Sequence, residues 1–368
     1  MTRYAYRVSE ALPYDSPVYI HRKADDDLLE AVVSGQFCGI VGPRQTGKSS
    51  LSIQTKHRLT QMGYRCITLF ATELIDSPQD YHRWDKQLAS IVWDSLHPTS
   101  VKPLQQWLQK TNHLLPQQRL ERLAGDLLAN ELAKKPTVLF IDAAETLLQI
   151  PYLANDLCDW IWHCQCLRKI YPLYQNLRFV IIGSAASTKL IQNTALLESL
   201  CEIIPQNFEL SETIPLQQGF SDRITNPEII LASVLRWTHG QPALTQKVCD
   251  LLKTTMDEVY SSKWPLTPFT EAIDQWIDHI VQSRIIANWN RQDDLSHLWN
   301  MYYQLMNSPH QQQIRSIYHQ VLTDQVVELQ DSPPQRELIN GGFVVSKNGQ
   351  LKNANEIYRH VFSSLVTS

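Results

Sequence analysis

The chain has 368 residues, 43% of them hydrophobic and 19% charged, with a formal net charge of −4. That length exceeds one ordinary core and points to two or three domains of a soluble globular protein, while the charge excludes a general attraction to nucleic acid or an anionic membrane. No apolar run approaches membrane-span length and no apolar leader opens the sequence, and seven cysteines, an odd number, suit reduced thiols in a cytoplasmic protein.

Residues 1–20 read as an arm punctuated by Pro13 and Pro17. Residues 24–33, ADDDLLEAVV, have an acidic start and an apolar face, the marks of a short helix. The apolar run Phe37–Val41 reads as a buried strand, followed after a glycine loop by a helix over 49–62. Further strands are expected at 65–71, 136–142 and 177–183, with a fifth within 201–210. Helical patterns fill 77–96 and 99–135, the second interrupted near Pro116. Strands separated by helices predict an α/β fold, a parallel sheet with helices on both faces. Beyond about residue 210 the pattern turns to helices without buried strands: 226–238, 242–255, 273–289, 295–306 and 310–323. Asn348-Gly349 between short strand-like runs is a hairpin signal, and helices followed by a small hairpin predict a winged helix.

Between the first strand and its helix stands Gly42-Pro43-Arg44-Gln45-Thr46-Gly47-Lys48-Ser49, followed by Ser50, which fits the G-x-x-x-x-G-K-[ST] phosphate loop at every defined position. Gly42 and Gly47 let the backbone approach phosphate oxygens, and the loop amides with the helix N-terminus make an anion cradle. Lys48 would meet the β- and γ-phosphates and the Ser49 hydroxyl would ligate Mg²⁺. The motif predicts a P-loop NTPase that binds a nucleoside triphosphate or diphosphate. Its boundaries read as arm 1–20, nucleotide-binding domain 21–210, helical lid 211–290 and winged-helix domain 291–368.

Asp142 closes the third strand, where a carboxylate can hold the magnesium ion through water; capping the next helix is its plainer alternative. A glutamate that orients the attacking water often follows that aspartate, but here the residues are Ala143, Ala144 and Glu145. Alanine accepts no proton, so hydrolysis is expected to be slow or absent unless Glu145 reaches; a solvated or capping role is its alternative. Ser184, with Ser187 behind it, could sense the γ-phosphate or could simply satisfy its own turn. Cys158, His163, Cys164 and Cys166 share one helical run without a second cluster to complete a tetrahedral site, which favours buried free thiols over zinc.

The chain resembles the AAA-like domain of bacterial, especially cyanobacterial, signal-transduction NTPases of the STAND group. The resemblance spans roughly residues 18–365 and rests on residues 20–25 (IHRKAD), the Arg44-Gln45 phosphate loop, the strand 66–72, Ile182-Gly183-Ser184-Ala185, residues 240–249 (GQPALTQKVC), 284–289 (RIIANW) and 357–362 (IYRHVF). It implies a nucleotide-binding domain, a helical lid and a winged helix folded over the nucleotide, with Pro242 packing against adenine. It also implies that ADP holds a closed resting form and ATP favours opening and self-association. Departures from the family pattern are Asp142-Ala143-Ala144-Glu145 for an acidic pair, Phe70 for an aspartate, and Glu356 for an arginine. Larger relatives carry an effector or repeat domain, which this sequence, ending at Ser368, does not show. The expectation is a nucleotide-sensing core acting through an unknown protein partner or as a homo-oligomer. From Ile286 onward six basic residues face seven acidic ones, a balance against duplex DNA as the partner.

Overall fold

The computed structural model describes residues 6–7, 10–74, 84–97, 102–259, 270–287, 289–291 and 296–366. Two compact units divide it: one comprises Lys23–Gly42 and Leu51–Pro205, the other Met1–Arg22, Pro43–Ser50 and Gln206–Ser368.

The first unit is built on a parallel sheet of β1 (Phe37–Val41), β2 (Arg65–Phe70), β3 (Thr137–Asp142), β4 (Leu177–Gly183) and β5 (Leu200–Ile203), in the order β2-β3-β4-β1-β5. Its helices are α1 (Lys23–Val33), α2 (Lys48–Gln61), α3 (Trp84–Leu96), α4 (Lys102–Lys110), α5 (Pro116–Arg122), α6 (Ala129–Lys134), α7 (Pro151–Leu167), α8 (Pro172–Gln175) and α9 (Thr194–Glu198). Both sheet faces are buried, as expected where helices cover a parallel sheet. Leu139, Ile141, Phe179 and Ile181 belong to one core with Leu88, Leu120 and Trp160. Val138, Phe140, Val180 and Ile182 belong to the other with Leu28, Leu51 and Leu59. Consecutive strand residues thus feed opposite cores, the period-two geometry of a strand.

The expected helix over 77–96 is seen from Trp84; its first residues lie outside the described ones. The fifth strand is short and stops before Pro205, a residue with no N–H for a ladder. Inside the helical layer Arg119, on α5, forms an ion pair with Asp85, on α3, and both are buried. Arg119 also donates to the carbonyls of Thr111 (3.0 Å) and Leu114 (2.7 Å), which ties α5 to the end of α4 and its turn. On α7 Cys158 and Cys164 are buried while Cys166 is exposed, and burial pushes the Cys158 thiol up to about 12.

The second unit is helical: α10 (Ile214–Gln218), α11 (Glu228–Thr238), α12 (Pro242–Val259), α13 (Thr270–Val281), α14 (Ser296–Met306), α15 (Gln311–Leu322), α16 (Pro333–Asn340) and α17 (Glu356–Val366). The antiparallel pair β6 (Val344–Lys347) and β7 (Gln350–Asn353) turns at Asn348-Gly349, both at positive φ (53° and 74°), the geometry that this dipeptide favours. The helix expected over 273–289 ends as a π turn at Gln282–Ile286, then a 3₁₀ turn at Trp289–Arg291; Asn288 lies outside the described residues. Helix α16, in a segment for which the sequence predicts no element, opens on Pro333-Pro334, as proline is tolerated in a helix's first turn. One core runs through the unit and takes in the N-terminal segment: Tyr6, Leu12, Val18 and Ile20 are buried with Leu216, Phe220, Leu244 and Phe362. Tyr6 stacks on Phe220 at 5.6 Å and donates to the Leu216 carbonyl at 2.9 Å.

Candidate functional site

The phosphate loop leaves β1 and opens α2, as its spacing predicts. Gln45 (φ 63°) and Gly47 (φ 84°) take left-handed backbone conformations. At Gly47 the requirement is double, because an added Cβ would also lie 3.0 Å from the Arg22 guanidinium. The turn is braced from within by Thr46 Oγ1 donating to the Pro43 carbonyl at 3.0 Å. Lys48 Nζ donates to the same carbonyl at 2.5 Å. Arg22, buried at 4% exposure, donates to the carbonyls of Thr46 (2.9 Å) and Gln206 (3.0 Å) and lies 5.5 Å from the centre of the Phe208 ring. Ser50 Oγ accepts from the Leu12 amide at 3.0 Å. Arg44 and Ser49 are exposed.

Against this loop lies a pocket of about 210 Å³, lined by Leu12, Tyr19 and Ile20 of the N-terminal segment, Arg22, Gly47 to Ser50, Phe208, Pro242, Ala243 and Gln246. Pro242 is the first residue of α12. It follows Gly240, whose left-handed backbone (φ 74°) presses so close to Phe208 that a Cβ would run into that residue's carbonyl. Gln241 closes the segment onto the loop: its Nε2 donates to the Gln45 carbonyl at 3.2 Å, and its Oε1 accepts from the Leu244 amide at 2.6 Å.

Pro43, Arg44, Gln45 and Thr46 also border a second cavity of about 140 Å³ with His297, Gly342, Asn355 and Tyr358. Burial, with the Lys247 charge adding to it, pulls the His297 imidazole down to about 4.

In the unit that holds the sheet, Val41 pairs with Gly183 and Phe70 with Asp142, so the ends of β1, β2, β3 and β4 share one edge. There Asp142 Oδ1 accepts from the Ala143 amide at 2.7 Å. Burial lowers the Lys56 ammonium, an effect opposed by the charge of Asp142; its Nζ donates to Thr68 Oγ1 at 3.0 Å. Ala143 is left-handed (φ 55°). Glu145 does not project freely: its Oε2 accepts from the Ser184 amide (3.2 Å) and the Ser187 hydroxyl (3.4 Å). Ser187 is fully buried, whereas Ser184 is half-buried and begins a 3₁₀ turn.

The structure therefore gathers Pro43 to Ser50 and Pro242 around one loop, and Asp142, Glu145 and Ser184 around one sheet edge. Sequence reasoning passed over Arg22 and Gln246 as site residues. The signal for Gln246 was its place four residues after Pro242, on the same helix face. Arg22 offered less, one of two adjacent cations ahead of an acidic helix start.

A parallel sheet of this order, with its P-loop between β1 and α2, defines a P-loop NTPase fold. The chain belongs to the AAA-like domain family, whose sequence profile matches residues 8–263. It is 29% identical over 362 residues to an uncharacterized WD repeat-containing protein of Synechocystis sp., covering 98% of this chain and 30% of that relative's length. Among solved structures it is similar to a Walker-type ATPase of Pyrococcus abyssi, with a TM-score of 0.53 at 14% identity over 97% of this chain and 99% of the other. The Aeropyrum pernix ORC2 protein, solved in ADPNP-ADP complexes, matches more loosely, with a TM-score of 0.48 at 12% identity over 94% of this chain and 93% of that one. Among the described residues no helix is long and apolar enough to cross a membrane.

Proposed function

We propose that the chain is an ATP/ADP-binding switch of the STAND type, in which ADP holds a closed form, ATP favours opening and self-association, and hydrolysis is slow or absent. The observation that carries this reading is the hydrogen bond from Gln241 to the Gln45 carbonyl. It ties the first turn of α12 to the phosphate loop itself, so a nucleotide that reshapes the loop acts directly on α12. The turn before β6 adds a second tie, since a Cβ placed on Gly342 would lie 3.2 Å from Pro43 Cβ.

In this reading 21–210 is the nucleotide-binding domain and 1–20 the arm, and the lid spans 211–290. The winged helix spans 291–368, a reading supported by α14 to α16 preceding the hairpin and by the bridge from Glu328 to Gln350 at its edge. The pocket suits a nucleotide. Its apolar wall of Leu12, Ile20, Phe208 and Pro242 suits a base, and Gly47 to Ser50 offer Lys48 and loop amides to phosphates. Ser49 would ligate Mg²⁺, and Asp142 would hold it through water; the ion would neutralise charge on the β- and γ-oxygens. Slow turnover is supported by Ala143, which has no acceptor, and by Glu145, whose Oε2 is taken up by Ser184 and Ser187. The output is a protein contact, with a second copy or another protein, in the cytoplasm.

Titration calorimetry with ADP and ATP tests the reading. Lys48→Ala should abolish most of the affinity while circular dichroism stays that of the wild type. Equal affinity in the two proteins would remove Lys48 from the site and the proposal with it.

A further inference from the structure

We infer that the edge where the parallel strands begin is a docking surface for an acidic segment of a partner protein, with Arg168 and Arg178 at its centre. It gives a place to the protein contact proposed above, but it stands on this edge alone. The segments that lead into β1 to β4, residues 34–36, 62–65, 134–136 and 168–178, hold six basic residues and no acidic one. Glu131, buried on α6, answers two of them, Arg65 and Lys134. Lys135, Arg168, Lys169 and Arg178 make no ion pair among the described residues. Arg168, just after α7, donates through Nη1 to Gln165 Oε1 at 2.9 Å and to the Gly35 carbonyl. Arg178, in β4, lies over the Tyr64 ring, 4.7 Å from its centre. Its Nε and Nη1 are buried without a partner among the described residues, so the end that a ligand can meet is Nη2. Burial holds the Arg168 guanidinium below its ordinary range and the Arg178 charge adds to that, against the opposing effect of Cys164. The two cations are therefore near enough to repel.

Two half-buried cations side by side without a carboxylate raise the free energy of the fold, and an anion placed against both lowers it. The guanidinium fork matches a carboxylate, and such charge-assisted bonds are roughly twice as strong as neutral ones. Beside the pair stand exposed apolar side chains, Met62 ahead of β2 and Ile170 and Tyr171 after Arg168. A free inorganic anion or a duplex backbone would leave them uncovered. A bilayer is flat, and its phosphates would meet the exposed ammonium groups of Lys135 and Lys169 before the half-buried guanidiniums. An acidic chain segment supplies both needs: carboxylates on side chains long enough to enter, and apolar groups to cover Met62, Ile170 and Tyr171.

The test is fluorescence anisotropy on the full chain with a fluorescein-labelled peptide of glutamate, leucine and serine, beside the same peptide with glutamine for glutamate. The wild type should bind the acidic peptide more tightly by roughly ten- to hundredfold, the range for bonds to charged groups, and less tightly as salt is raised. Arg168→Gln and Arg178→Gln should each remove most of that preference. The melting temperature of Arg178→Gln should be no lower than that of the wild type, because the substitution also removes the repulsion; a purely structural arginine would lower it. Calorimetric ADP affinity should be unchanged in both variants, so the nucleotide reading and this one fail separately. Equal binding of the two peptides by the wild type would overturn the inference, and that comparison needs no variant to fold. Full preference retained in both variants would overturn the role of the pair. Arg178-dependent retention on phosphatidylglycerol vesicles, without preference for the acidic peptide, would overturn the protein partner in favour of a membrane surface.

Discussion

Arg22 and Thr46 are joined by a 2.9 Å hydrogen bond from guanidinium to carbonyl, and through it a buried cation braces the turn of the phosphate loop. The same guanidinium holds the Gln206 carbonyl and lies over the Phe208 ring. Arg22→Ala would strand two carbonyls and remove a cation–π contact, for an expected loss of about 2–4 kcal/mol in urea unfolding. Arg22→Lys should recover little, because an ammonium cannot reproduce the planar fork. ADP affinity should fall in both variants. Unfolding of Arg22→Ala within about 0.5 kcal/mol of wild type would show that the brace is idle.

Turnover by the wild type should be slow, because assistance by a general base is commonly worth about 10²–10⁴-fold and Ala143 supplies none. Ala143→Glu should raise the single-turnover rate of ATP hydrolysis. Glu145→Gln should leave the residual rate within about threefold, since Glu145 Oε2 accepts from Ser184 and Ser187. Complete loss of hydrolysis in Glu145→Gln would make Glu145 the base after all. Fast multiple turnover by wild type that ignores Glu145→Gln would point to another base and to an ordinary ATPase.

Stability should fall on mild acidification through His297. Its folded value, about 4, lies below the ordinary histidine value of 6.5 because burial and then the Lys247 charge disfavour the imidazolium. Between those two values the unfolded chain binds the proton and the folded one does not. The contribution is therefore complete above about pH 6.5 and is lost as pH falls toward 4, about 3 kcal/mol in all. His297→Gln should flatten that part of the curve of unfolding free energy against pH. An unchanged slope would place the acid sensitivity elsewhere.

The buried pair of Asp85 and Arg119 should show the asymmetry of a charge left alone. Asp85→Ala or Arg119→Ala singly is expected to cost about 3–5 kcal/mol, whereas replacing both by leucine should cost much less than the two losses added. A double-mutant cycle with no coupling would mean that each residue acts through its other contacts, such as those of Arg119 with Thr111 and Leu114.

Legibility followed the range of the interactions. Strands β1, β3 and β4 were readable because runs such as Val138 to Ile141 are apolar on both faces, and the phosphate loop because its glycines and Lys48 are local in sequence. The pairing order was not readable, since hydrogen bonding between β1 and β4 leaves no trace in either strand's composition. Gln246 escaped notice for the same reason. Its defining partner is Val18, 228 positions away, and only the fold turns an ordinary helical glutamine into an acceptor without a donor. Helix α16 falls where the sequence predicts no element, and its opening Pro333 is a local signal with two meanings, since proline can break a helix or begin one.

The burial of Tyr6 against Leu216 and Phe220 has a consequence for synthesis. The tyrosine leaves the ribosome 210 residues before the carbonyl that accepts its hydroxyl. At about 5–20 residues per second the delay is roughly 10–40 s. Throughout that interval Tyr6, Leu12, Val18 and Ile20 have no core to enter, because the helices that enclose them are still to be translated. The nascent chain must carry these apolar residues uncovered through that interval, a window in which holdase chaperones or neighbouring nascent copies compete with its own later helices.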